Sequence, residues 1–190
     1  MRSRPTASGN TAKNRNAGFS MLELMVVIIV FGILCGAAAV SWSSFTRYQN
    51  LRSEANGFHK DLLALRARAL QNNDTIRVNL AAGSYAVTQS TEDSGDPWTA
   101  VKTVTLGHGI TMSTAVPANR TGLPSVVDTS NSWAKNDNRI QILPDNLSAF
   151  TNGFATLEVG GNQFCVVMDQ SIGIAPTIFF RKGGGSWKRM

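Results

Sequence analysis

The chain has 190 residues, 43% hydrophobic and only 16% charged, which fits one ordinary domain joined to an apolar segment. Its formal charge of +6 does not point to a nucleic-acid surface, because Arg2, Arg4, Lys13 and Arg15 all precede Phe19 with no acid among them. Removing those four from 18 basic residues leaves 14 against 12 acidic ones, near +2, so the basic balance is mostly a topology signal.

Residues 1–18, MRSRPTASGNTAKNRNAG, are basic and polar and end in Gly18. The run FSMLELMVVIIVFGILCGAAAV follows, with no charged or strongly polar side chain from Leu24 to Val40. At about 1.5 Å of helix per residue this is long enough to cross a bilayer core of about 30 Å. Basic residues before the run and few after it place its N-terminal end in the cytoplasm. A secretory signal peptide with Ala37-Ala38-Ala39 as its cleavage region is one alternative, and a plain single-pass anchor is another. Glu23 argues against both, since a carboxylate in an apolar run is costly and usually serves a partner.

Helical spacing continues beyond the apolar run. Phe45, Tyr48, Leu51, Ala55, Phe58, Leu62, Leu65 and Ala69 recur every three or four residues, a stripe expected to pack on a globular head. Gly32 and Gly36 form a small-xxx-small pair able to admit a close helix neighbour. Asn72-Asn73-Asp74 ends the helix, and the pattern then changes to strands. TIRVNL and SYAVTQS around Ala81-Ala82-Gly83 read as a hairpin, followed by a polar loop at 91–97. WTAVKTVTL, GITMSTAV, RIQIL, FATLEV, FCVVMD and TIFFRK are further expected strands, and 117–138 reads as a long surface excursion. The expected fold is α+β: a long N-terminal helix packed on an antiparallel β-sheet head. Its divisions are a leader at 1–18, a transmembrane helix at 19–41, an amphipathic continuation at 42–72 and a β-rich head at 73–190.

Chemistry-bearing groups are sparse. His59 lies beside Phe58 at the expected edge of helix packing, and His108 sits between glycines in a turn. Neither has a companion at metal-ligand spacing, and Asp93 and Asp96 lack calcium-loop spacing. Cys35 falls in the apolar run and Cys165 in a strand-like segment, so both read as small apolar residues. No catalytic group, cofactor or metal is expected. Arg181, Lys182, Lys188 and Arg189, with Trp187 among them, form the one cluster able to contact nucleic-acid phosphate weakly. Gly183-Gly184-Gly185 reads as a flexible link.

The register Gly18-Phe19-Ser20-Met21-Leu22-Glu23, behind a basic leader and ahead of an apolar run, closely resembles the signature of type IV prepilins and type II secretion pseudopilins. The resemblance implies that a prepilin peptidase cuts between Gly18 and Phe19 and that Phe19 is then N-methylated. It also implies that Glu23 docks on the terminal amine of a neighbouring subunit, because two opposite charges are far cheaper to bury together than one alone. The segments LLALRARALQNN and RIQILPDNLSAFTNGFATLEV are similar to the GspH/FimT branch of that superfamily. Membership implies a non-enzymatic minor subunit anchored once in the bacterial inner membrane, with its head in the periplasm. Its partners would be the peptidase, other pseudopilin or pilin subunits and the inner-membrane assembly platform. Some members of the branch bind DNA through a Gly-Arg-x-Arg segment. The matching place here, Gly173-Ile174-Ala175-Pro176, has no arginine, so nucleic acid is not expected as a partner. A pseudopilus subunit for protein secretion is the first reading, a minor type IV pilin the second, and a single-pass anchored periplasmic enzyme the outsider.

Overall fold

A computed structural model describes residues 19–90, 97–124, 127, 132–135, 137–144, 152–169 and 175–190. Helix α1 runs Met21–Asn72, and the chain divides into two units, one ending at Trp42 and one spanning Ser43–Met190.

In the first unit α1 carries the run of large apolar side chains from Met21 to Leu34, and all of them are at least half exposed. A helix apolar on every side has no face to turn inward, so its cover has to come from another molecule or from lipid. In the second unit the helix is amphipathic. Leu51, Ala55, Phe58, Leu62, Leu65 and Ala69 are buried, as the 3.6-residue spacing predicts, and Tyr48 packs partly against the same core. Phe45, expected as the first member of the stripe, is instead 54% exposed, so burial begins at the next turn. Asn73 ends the helix in the left-handed conformation (φ 57°), and the Asp74 N–H donates back to the Ala69 carbonyl at 3.2 Å. This is the wrap that a left-handed residue just past a helix permits.

Among the described residues the head contains two antiparallel sheets rather than one. The first has the order β3-β2-β1-β5, from β1 (Thr75–Ala81), β2 (Ser84–Ser90), β3 (Thr99–Thr105) and β5 (Arg139–Ile142). The second has the order β4-β6-β7-β8-β9, from β4 (Thr111–Ser113), β6 (Gly153–Val159), β7 (Asn162–Met168), β8 (Thr177–Lys182) and β9 (Lys188–Arg189). The β1–β2 hairpin closes through Ala81↔Ser84, leaving Ala82-Gly83 as a two-residue loop. A backbone bond links the sheets there, the Met112 N–H donating to the Ala82 carbonyl at 2.7 Å, while the Leu80 N–H extends the β1–β5 pairing to the Asn138 carbonyl at 2.8 Å. Of the expected strand GITMSTAV only Thr111–Ser113 is extended.

Strand alternation divides the apolar residues between two cores. Phe164, Val166 and Met168 of β7 join α1 and the first sheet in the main core. Cys165 and Val167 point the other way, into a smaller cluster with Val127, Phe154, Phe179 and Trp187. Burial on both faces explains why β7 reads as a continuous apolar run. The stretch 117–138 is correspondingly more than a surface excursion. Trp133, on the one-turn helix α2 (Ser132–Lys135), is fully buried in the main core. Gly153 makes room for it, since a Cβ there would collide with the indole.

Candidate assembly site

The Leu24 N–H donates to the Ser20 carbonyl at 3.1 Å, so Ser20 occupies the N-cap position and Glu23 the third helical position. Ser20-Met21-Leu22-Glu23 therefore has the Ser-x-x-Glu pattern of a capping box, a signal visible in the sequence that the docking reading had passed over. A negative side chain in the first turn also complements the helix dipole, worth about 0.3–1 kcal/mol. Phe19, just before this turn, is 79% exposed. Gly18 and the leader lie outside the described residues.

The four basic residues expected to act together do not share one surface. The Gly183–Gly185 segment is no flexible link but part of the β8–β9 connection, with Gly183 and Gly184 at φ 56° and 80°, a backbone that glycine adopts without strain. Phe179 pairs with Arg189 and Phe180 with Lys188. Alternation along β8 and β9 then puts Arg181 and Arg189 on the face of Phe179, and Lys182 and Lys188 on the face of Phe180, toward α1. Arg181 is held inside the fold. Its guanidinium donates to the Gln163 amide oxygen and, at 3.4 Å, to the Asn119 carbonyl, and it lies 5.0 Å from the centre of the Trp187 ring. Trp187 is buried, with its indole N–H on the Asn119 carbonyl at 2.7 Å. The loop at 119–123 straps this hairpin, and the Trp187 backbone N–H reaches the Thr121 carbonyl at 2.8 Å. Lys182, Lys188 and Arg189 are exposed.

The remaining polar groups brace the head. His59 donates from Nε2 to the Pro176 carbonyl at 2.9 Å. Tyr85 donates to the Asp61 carboxylate at 2.5 Å, and Lys102 pairs with the same oxygen at 2.6 Å. Burial, then the bond to Asp61, pushes the Tyr85 hydroxyl well above its ordinary pKa. Burial likewise pushes the Cys165 thiol up to about 12, against a small lowering by Thr156. Both cysteines are free. His108 occupies a turn with φ 60°. Asp93, Asp96, Gly173 and Ile174 lie outside the described residues, among which no three His, Cys, Asp or Glu side chains converge as metal ligands.

Residues 13–39 match the prokaryotic N-terminal methylation motif. No curated protein matches the chain, and no solved structure does. The motif implies processing by a prepilin peptidase and assembly with other pilin subunits. Together with an apolar helix able to anchor in a membrane and an antiparallel β head, it supports a type IV pilin-like protein.

Proposed function

We propose that the chain is a minor pseudopilin of a type II secretion system, of the GspH/FimT kind. It acts by polymerisation, not catalysis, in a periplasmic pseudopilus rooted in the inner membrane. In this reading the peptidase cuts after Gly18, Phe19 becomes the methylated N-terminus, and Glu23 pairs with the terminal amine of the next subunit. The carrying observation is Glu23 in the first turn of a helix whose large apolar side chains from Met21 to Leu34 are exposed. Capping and dipole terms of about 1 kcal/mol act against the cost of a carboxylate in hydrocarbon, which reaches about 2.5–3.5 kcal/mol at the centre of a span and is smaller near its end. A partner charge offsets what remains of that cost. The second reading, a minor type IV pilin with a DNA-facing head, draws its support from the exposed Lys182, Lys188 and Arg189.

The test separates the local role of Glu23 from docking. Glu23→Gln keeps a side chain fit for a capping box but removes the charge. Membrane fractionation should find the variant inserted as well as the natural chain, while co-purification with partner subunits should fall about tenfold or more, the scale of an unpaired buried charge. Unchanged incorporation of Glu23→Gln would refute docking through the carboxylate. Crosslinked partners of the unaltered chain, pseudopilins or pilins, decide between the two readings.

A further inference from the structure

Three parts of the head meet around the start of its helix. The Tyr48 ring packs 5.1 Å from Phe180 and 6.0 Å from Phe164, and these two phenylalanines are cross-strand partners. Two residues further along the same ladder, Asn162 pairs with Lys182, and beyond that pair lie the β6–β7 and β8–β9 turns. The turns are tied together by the Gly183 N–H on the Gly161 carbonyl at 3.2 Å. The Arg47 side chain lies against the first of them, with Cδ and Nη1 each 3.7 Å from where a Gly160 Cβ would stand.

This end of the head is basic and nearly bare of side chains. Arg47, Lys182 and Lys188 are exposed on it, and alternation sets both lysines on the helix side of the sheet. No acid occurs in 43–50, 160–162 or 182–188. Glu158, the acid of the adjoining strand, accepts a hydrogen bond from Gln163 at 2.6 Å on the opposite face. Glycines 160, 161, 183 and 184 all have positive φ, so the turns expose backbone in place of bulky groups.

We infer that this end of the head, through Arg47, Lys182 and Lys188, docks on the phosphate headgroups of an anionic bilayer while the subunit is not yet part of a polymer. The inference rests on the reading that residues 19–41 span the membrane. Five residues of chain then join Trp42 to Arg47, at most about 18 Å even when fully extended. The tether therefore holds the patch near the headgroup layer without any affinity of its own. Each basic side chain at an anionic surface favours contact about fivefold, so three together outweigh the freedom of a short tether. Duplex DNA offers the same phosphate chemistry, but three charges without a tether are few for it.

The test uses the full chain in nanodiscs of phosphatidylcholine alone or mixed equally with phosphatidylglycerol. Amide exchange at 160–162 and 183–186 should slow about tenfold in the mixed discs, and salt should reverse the effect. Arg47→Gln, Lys182→Gln and Lys188→Gln together should abolish it while exchange in β7 stays unchanged, which establishes that the head is still folded. Equal exchange in both lipids, or slowing that survives the triple change, would overturn the docking. Slowing of the same amides by duplex DNA in phosphatidylcholine discs, with none from phosphatidylglycerol, would replace lipid by nucleic acid. A chain that fails to enter the discs at all would instead refute the membrane span.

Discussion

The two stretches of α1 belong to one helix yet meet opposite fates. Between Met21 and Leu34 the large apolar side chains are 50–83% exposed; between Leu51 and Ala69 the stripe is 0–6% exposed. Both carry leucine and phenylalanine, but the first has one charged residue, Glu23, and the second has six. That difference sets the arrangement. Apolar residues on every side demand an apolar solvent or many neighbours, whereas residues on one stripe, with charges between, demand one covering surface. The chain supplies that surface itself from two sheets, and leaves the first stretch for lipid and for other subunits.

That contrast can be broken at several points. The largest effect is expected at Gly18, where a bulky residue should block peptidase cleavage outright and leave full-length product on a gel. The folding of the head should be untouched, because the change lies in the other unit. Complete processing of such a variant would remove the prepilin assignment.

Next in size are matched truncations within α1. Phe58→Ala should destabilise the head by about 3–5 kcal/mol, the usual cost of emptying a buried aromatic site. Ile28→Ala should change head unfolding by no more than about 0.5 kcal/mol. A denaturant titration of the two variants side by side measures the difference, and comparable losses would show that the first stretch also packs on the head.

The buried side of the contrast also shows in the pH dependence of stability. The Cys165 thiol is raised from 9.0 to about 12, so above pH 9 the unfolded chain loses a proton that the folded head retains. Stability is therefore intact below pH 9 and declines toward pH 12, at up to about 1.4 kcal/mol per unit. Cys165→Ala should flatten the slope between pH 9 and 10, while a decline above pH 10 persists because Tyr85 is raised as well. The smallest effect belongs to the polar edge of the buried stretch. Asp61→Asn weakens the acceptor of Tyr85 and Lys102 and should cost about 1 kcal/mol, read by thermal unfolding.

Much of this molecule is written in short-range pattern. Seven of the nine strands among the described residues overlap segments marked by alternating or continuous apolar residues bounded by glycine, proline or asparagine, and β4 survives as three residues of an expected eight. Missing altogether was β9, because Lys188-Arg189 has no apolar alternation and becomes a strand only by pairing with Phe180 and Phe179. Trp133 was likewise hidden. A lone tryptophan in a polar stretch carries no periodicity, and its burial depends on Gly153, twenty residues away in sequence, leaving the space for its indole. The Gly183–Gly185 segment misled for the same reason, since glycines permit a flexible link and a tight turn equally.

By itself the sequence determined what local chemistry and period can encode: the apolar helix with its carboxylate, the buried stripe and most strands. Only the tertiary structure decided which residues the folded chain brings together. It assigned the strands to two sheets and the apolar residues to two cores. It committed Arg181 to Gln163 and Asn119, and it set Arg47 against the turn at Gly160, well over a hundred residues away in the chain. Pairing and packing between distant segments depend on the sum of many weak contacts across the fold, and no single stretch of chain records that sum.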